Sequence, residues 1–259
     1  MKLNAVNLEI SIIIPFYIEL DVISSTIESI VAACKGLNYE VLICNDGEIP
    51  SQTILTKAKE TLDSEIDITV LKNRYLPGAA GARNTGIDAA RYSWIAFLDA
   101  DDLWLPNKIF DQIEAMKTGA TFICSPYQLD KGAVINPPKT INKPTDIFLK
   151  RGISTSTVLV HKTCIGETRF RALKHVEDID MWFRLANNTC FTYAHTNKVA
   201  MEYSTKGSTS NKWLQLWLFS ECLLLNRIGA ILFVRTIFGY TTRGVWNHFL
   251  QPTLNRIIN

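Results

Sequence analysis

The sequence predicts an α/β fold with a mostly parallel central sheet flanked by helices, and two observations carry that reading. Apolar runs of strand length alternate with stretches of helical period, and three of the strand ends are polar and carry acids. Residues 10–16 are a continuous apolar run, after which Val22, Ile23, Thr26, Ile27, Ile30 and Val31 recur at helical spacing as far as Lys35-Gly36. Residues 39–44 read as the second strand, ending at Asn45-Asp46-Gly47, and residues 54–62 as the second helix. Residues 66–71 alternate as a third strand, residues 79–90 have an alanine-rich helical pattern, and residues 93–98 form the fourth strand. Strand-helix alternation of this kind places helices on both faces of the sheet.

Beyond residue 102 the pattern loosens. Residues 105–116 read as a helix begun by Pro106, and residues 121–125 as a short strand. Residues 132–145, with Pro137, Pro138 and Pro144, read as loop. Residues 153–161 look like another strand, whose Ser154, Thr155, Ser156 and Thr157 offer hydroxyls to a polar substrate or to a sheet edge. Ile179, Trp182, Phe183 and Leu185 give a helix with one buried face. Glu177 and Asp178 then lie at its N-terminus, where carboxylates cap free amides; one facing a pocket can instead act as a base.

In such sheets ligands bind outside the carboxyl ends of the strands. The rule gives residues 16–19, 45–47 and 99–102 a common address. In the stretch WIAFLDADD, Asp99, Asp101 and Asp102 fall within four positions. Carboxylates this close raise one another's pKa unless a cation or hydrogen-bond donors absorb the charge. A hard divalent metal would do so, and an acidic turn left in water is the alternative. The stretch from Pro77 to Gly86 opens the third helix with small residues that allow close backbone approach, and Arg83 can pair with a phosphate. It matches neither G-x-G-x-x-G nor G-x-x-x-x-G-K-[ST], so neither a dinucleotide fingerprint nor a P-loop is present there.

Length and composition fit one large domain, or one domain with a small appendage: 259 residues, 47% hydrophobic. The net charge of +2 hides an asymmetry, because residues 211–259 carry five Lys or Arg against Glu221, leaving the first 210 residues at −2. No nucleic-acid partner is expected. The six cysteines form no C-x-x-C pair and read as buried, reduced thiols of a cytosolic protein. His161 and Cys164 have a ligand-like spacing without a second pair. The apolar run at residues 10–18 is broken by Pro15 and flanked by Glu9, Glu19 and Asp21, so no cleaved signal is expected.

Five stretches in order, SIIIPFY, CNDG, GAAGARNTGI, FLDADDLWLP and HVEDIDMWFRL, resemble the family 2 glycosyltransferases over roughly residues 8–210. The resemblance implies an A-type nucleotide-sugar transferase fold. Its Rossmann-like half, about residues 8–103, would bind a nucleotide-diphosphate sugar, and residues 104–210 would receive the acceptor. Pro15, Tyr17 and Glu19 would border the nucleoside, Asp46 would accept hydrogen bonds from the base, typically uracil, and Arg83 would neighbour the diphosphate. Asp99 and Asp101 match the Asp-x-Asp motif, Asp101 as ligand of Mn²⁺ or Mg²⁺ and Asp99 nearer the ribose or a metal-bound water. Asp178 would be the catalytic base, supported by Glu177 and Asp180, with Trp104 of the FLDADDLWLP stretch beside the motif. Asp102 is expected to do no more than lead the following helix.

The implied activity is inverting, metal-dependent transfer of a hexose, from UDP in particular, to a lipid-linked saccharide in surface-polysaccharide synthesis. A non-catalytic sugar-nucleotide or carbohydrate-binding protein and a nucleotidyltransferase are the alternatives. One departure concerns a late Arg-x-His element, where this chain has Tyr203 and Thr205 before Ser208 and Ser210. Residues 211–259 read as a basic, amphipathic helical extension, rich in Trp, Leu and Phe with spaced Arg. Such a tail suits peripheral attachment to the inner face of an anionic membrane, packing on the body, or a homodimer interface.

Overall fold

The computed structural model describes residues 8–62, 66–130, 132–150, 152–173, 175–204 and 220–229. The first half is regular: β1 (Glu9–Phe16), α1 (Ile23–Ala33), β2 (Asn38–Asn45), α2 (Ser51–Lys59), β3 (Ile68–Lys72), α3 (Ala79–Ala89) and β4 (Trp94–Phe97). After it come β5 (Leu103–Trp104), α4 (Lys108–Met116), β6 (Phe122–Cys124), β7 (Tyr127–Leu129), β8 (Val134–Ile135) and α5 (Asp146–Lys150). A 3₁₀ turn (Thr155–Thr157), β9 (Leu159–His161), α6 (Lys162–Ile165), α7 (Glu177–Leu185), β10 (Tyr193–His195) and β11 (Met201–Tyr203) complete the order. Residues 220–225 are also helical.

The main sheet has seven strands in the order β10-β6-β9-β4-β1-β2-β3, and in it only β9 runs antiparallel to its neighbours. Side chains alternate across the sheet, and both faces are covered. Ile13, Leu42, Cys44, Ile95 and Phe97 face a core shared with α3 and α7. Ile12, Ile14, Phe16, Val41 and Ile43 face the opposite core, shared with α1 and α4. A smaller sheet, β5-β11-β7-β8, stands beside the main one.

Two expectations are corrected. Residues 132–145 are not all loop, because β8 pairs with β7 around a turn at Gly132, and the prolines begin only after it. Residues 153–161 are not one strand. Thr157 Oγ1 donates to the Ser154 carbonyl at 2.7 Å, and the backbone bonds Thr157 N–H to Ser154 and Val158 N–H to Thr155 curl the segment into the 3₁₀ turn. Pairing in the sheet starts at Leu159. His161, whose spacing from Cys164 invited a ligand role, accepts a bond from Thr163 N–H at the start of α6 and sits edge-on to Trp94.

All six cysteines are free thiols, five of them buried and Cys190 exposed. Most of the expected tail lies outside the described residues. Within its described part, Cys222 and Leu223 are buried in the α3–α7 core and Asn226 donates to Asp180 at 2.8 Å, so this portion packs on the body. Among the described residues no helix is long and apolar enough to cross a membrane.

The small residues of α3 let it lie directly on β1 and β2. A Cβ at Gly86 would stand 2.4 Å from Ile13 Cγ2 and 3.0 Å from Cys44 Sγ. Gly86→Ala gains roughly 1 kcal/mol of helix propensity but overpacks a core at a cost of about 1–3 kcal/mol. We expect a net loss of stability, read as a lower urea midpoint; a midpoint at or above wild type would contradict this packing.

Candidate active site

Loop geometry brings the three polar strand ends together. After β1, Glu19 turns its carboxylate back onto the Tyr17 and Ile18 amides at 2.7 and 2.9 Å, which shapes the loop and leaves Tyr17 exposed. After β2, Asn45 Oδ1 accepts the Gly47 N–H at 2.9 Å, and Gly47 lies so close to the Tyr17 backbone that a Cβ would meet its carbonyl oxygen at 2.1 Å. Asp46 accepts from Asn73 Nδ2 and from Gly78 N–H, both at 2.6 Å, and thereby ties β2 to the entry of α3. Asn73 gave no signal in the sequence, since its partner lies 27 positions away.

These ends surround a cavity of about 660 Å³. Its lining includes Pro15, Tyr17, Glu19, Asp46, Arg83, Asp99, Asp101 and Glu177. Arg83 projects from α3 into a buried position, 4% exposed, where Nη2 donates to Asp99 at 2.7 Å and Nη1 to Glu177 at 3.2 Å. Burial disfavours its charge, but Asp99 and Glu177 outweigh that and raise its pKa, so Arg83 stays cationic. Arg83 Nε and Glu177 Oε2 are buried without a hydrogen-bond partner among the described residues. The site therefore keeps unused donor and acceptor capacity.

Asp178 follows Glu177 at the start of α7, with Oδ1 accepting its neighbour's Ile179 N–H at 2.7 Å. Desolvation, then the Glu177 charge, pushes its carboxyl up to about 7, against the opposing pull of that amide and of Arg83. This is the range a general base needs near neutral pH. Asp101 is exposed on the turn after β4; partial desolvation, then the neighbouring Asp99 charge, raises its pKa.

Two acids, a tryptophan and a tyrosine differ in surroundings from their neighbours. Asp102 is not a solvent-facing acid ahead of α4: it is 1% exposed, accepts from Ser156 Oγ at 2.6 Å and from Ser204 N–H at 3.1 Å, and is pushed up mainly by burial. Trp104 is buried behind the turn, its Nε1 donating to the Ser156 carbonyl at 2.8 Å. Asp180 is fully buried and holds Arg171 at 3.1 Å, Arg184 at 2.8 Å and Asn226. Tyr203, which stands where Arg was expected, lies 5.7 Å ring to ring from Tyr127; Thr205, Ser208 and Ser210 lie outside the described residues.

The family model described as Glycosyl transferase family 2 matches residues 11–176. The chain belongs to this family. Two Escherichia coli relatives are similar along most of their length. The UDP-Glc:alpha-D-GlcNAc-diphosphoundecaprenol beta-1,3-glucosyltransferase WfgD is 32% identical over 80% of this chain and 82% of its own. The enzyme of the same description WfaP is 33% identical over 92% of this chain and 95% of its own. The structure of the Pyrobaculum calidifontis mannosyltransferase PcManGT in complex with GDP-Man and Mn²⁺ superposes with a TM-score of 0.63 at 13% identity, over 94% of this chain and 70% of that one. This family 2 glycosyltransferase accordingly has the A-type fold, with its cavity at the carboxyl ends of β1, β2 and β4.

The pKa of Asp178 has a consequence for stability. Between the ordinary carboxylate range and about pH 7 the folded enzyme holds a proton that the unfolded chain has released, so this group's contribution falls as pH rises through that window. Asp178→Asn removes the ionisation. Its melting temperature should exceed wild type by a few degrees at pH 8 and match it at pH 4.5; equal differences at both pH values would count against the raised carboxyl.

Proposed function

We propose that the enzyme moves a hexose from a uridine diphosphate sugar to a lipid-linked saccharide acceptor, with inversion at the anomeric carbon, in surface-polysaccharide synthesis. The observation that carries it is the buried Arg83, held at the cavity between Asp99 and Glu177, with the raised carboxyl of Asp178 next to Glu177 and within reach of its charge. The activities of the two E. coli relatives support the UDP-glucose donor and the diphospholipid-linked N-acetylglucosamine acceptor.

Asp178 takes the proton from the acceptor hydroxyl as that oxygen attacks the anomeric carbon. The bond from that carbon to the diphosphate oxygen breaks, and the departing diphosphate gains charge next to Arg83. One displacement inverts the centre. Tyr17 borders the base, and Asp46, already braced by Asn73 and Gly78, presents its remaining acceptor capacity to it.

The charge balance at the cavity favours a divalent cation. Glu19, Asp46, Asp99, Asp101 and Glu177 line it, with Arg83 as the one cationic side chain among the described lining residues. A diphosphate adds further negative charge to an already acidic wall. No group of three or more His, Cys, Asp or Glu side chains able to hold a metal is found among the described residues. The hard oxygens of Asp101 and Asp99 fit Mn²⁺ or Mg²⁺ as part of a set that the diphosphate would complete. Such an ion, when bound, would neutralise charge on the leaving diphosphate.

Asp178→Ala should lower kcat by about 10²–10⁴-fold while UDP-glucose still raises the melting temperature. Asp101→Ala should abolish the part of that thermal shift that requires Mn²⁺. Undiminished turnover in Asp178→Ala would remove the base, and a UDP-glucose shift insensitive to EDTA would remove the metal.

A further inference from the structure

The turn that carries Asp99 and Asp101 is fastened from behind. Within it, Asp102 N–H bonds the Asp99 carbonyl at 3.0 Å. Thr26 Oγ1 of α1 donates to the Ala100 carbonyl at 2.7 Å. From the 3₁₀ turn, Ser156 Oγ accepts the Asp99 N–H at 3.0 Å and donates its own proton to Asp102 Oδ2 at 2.6 Å. The other oxygen of Asp102 accepts the Ser204 N–H at the end of β11. Ser156 is itself fixed, its carbonyl taking the Trp104 indole N–H, and Lys108 Nζ lies 4.0 Å from the centre of that indole ring.

We propose that Asp102 and Ser156 are positioning residues for glycosyl transfer: they lock the turn so that Asp99 and Asp101 keep their places at the donor diphosphate, and neither touches a substrate. The proposal rests on the reading of Asp99 and Asp101 as donor-side groups. Ser156 is fully buried and Asp102 almost so, and both oxygens of Asp102 are spent on Ser156 and Ser204, away from the cavity lining. A buried carboxylate is costly unless its hydrogen bonds are made. Here they tie the turn to the 3₁₀ turn through Ser156 and to the end of β11 through Ser204. Ser156 is the shared member, since a single hydroxyl serves the Asp99 amide and the Asp102 carboxylate at once. Misplacement of a catalytic constellation by about 1 Å costs roughly 10²-fold in rate, which is why the fastening matters to chemistry.

The chemistry of the bridge allows a discriminating test with Ser156→Ala, Asp102→Ala and Asp102→Asn. An asparagine can accept from Ser204 N–H and donate to Ser156 Oγ, so it keeps the bridge and loses the charge. We expect kcat with UDP-glucose to fall at least tenfold in Ser156→Ala and Asp102→Ala, with the donor KM within about threefold of wild type, and to stay within about threefold in Asp102→Asn. The Asp99 amide should exchange with solvent faster in the two alanine variants and at the wild-type rate in Asp102→Asn. Wild-type kcat in Ser156→Ala, or a lowered melting temperature with unchanged kcat below it, would overturn the proposal. So would Asp102→Asn falling as far as Asp102→Ala, which would mean that the charge itself is used. Wild-type enzyme with no UDP-glucose turnover would fail the donor assignment instead; an Asp99 amide that exchanges at the wild-type rate in Ser156→Ala overturns the fastening whatever the donor.

Discussion

The buried guanidinium of Arg83 is the interaction on which the rest of the site depends. It joins α3 to the end of β4 through Asp99 and to the start of α7 through Glu177, so two consecutive elements and a third, 94 positions on from Arg83, meet at one cation. Removing one partner of a buried ion pair leaves an uncompensated charge, at a cost of about 3–5 kcal/mol. The pairing therefore constrains geometry as well as charge. The small residues of α3 fit this arrangement: Ala80 and Ala82 are buried in the core and Gly86 lies against Ile13 and Cys44, so the helix that carries Arg83 sits close on the sheet.

Around that cation the carboxylates fall into unlike environments. Asp99 is neutralised by Arg83, Asp101 is exposed at the cavity, Asp178 is desolvated beside Glu177, and Asp102 is sealed behind the turn. Four acids of the same chemistry thus stand in four environments: ion-paired, open to the cavity, desolvated with a raised pKa, and sealed. Such separation of neighbouring carboxylates by burial and charge is how one site holds both ionised and protonated groups near neutral pH.

The regular half of the fold was legible in the residues themselves. The unbroken apolar run from Ile10 to Phe16 and the helical recurrence of Ile23, Ile27 and Ile30 leave little choice of local structure, and their strands and helices lie within a few residues of expectation. The elements that were misread are short ones. The β7–β8 hairpin and the 3₁₀ turn at Thr155–Thr157 contain two or three residues per element, too few for any periodicity to show. Their conformation follows from hydrogen bonds to neighbours, as at Thr157 and Ser154.

For the site, the residue types at the three strand ends, together with Arg83 and the Glu177-Asp178 pair, were determined by the sequence alone, because the motifs carry both their chemistry and their order. Tertiary structure alone decided the surroundings of each acid. Asp99, Asp101 and Asp102 are nearly adjacent in the chain and chemically alike, so nothing local separates them. What separates them is Arg83 from 16 positions before Asp99 and Ser156 from 54 positions after Asp102. A carboxylate's pKa, exposure and partners are properties of the space around it, and only the folded chain brings those partners to it.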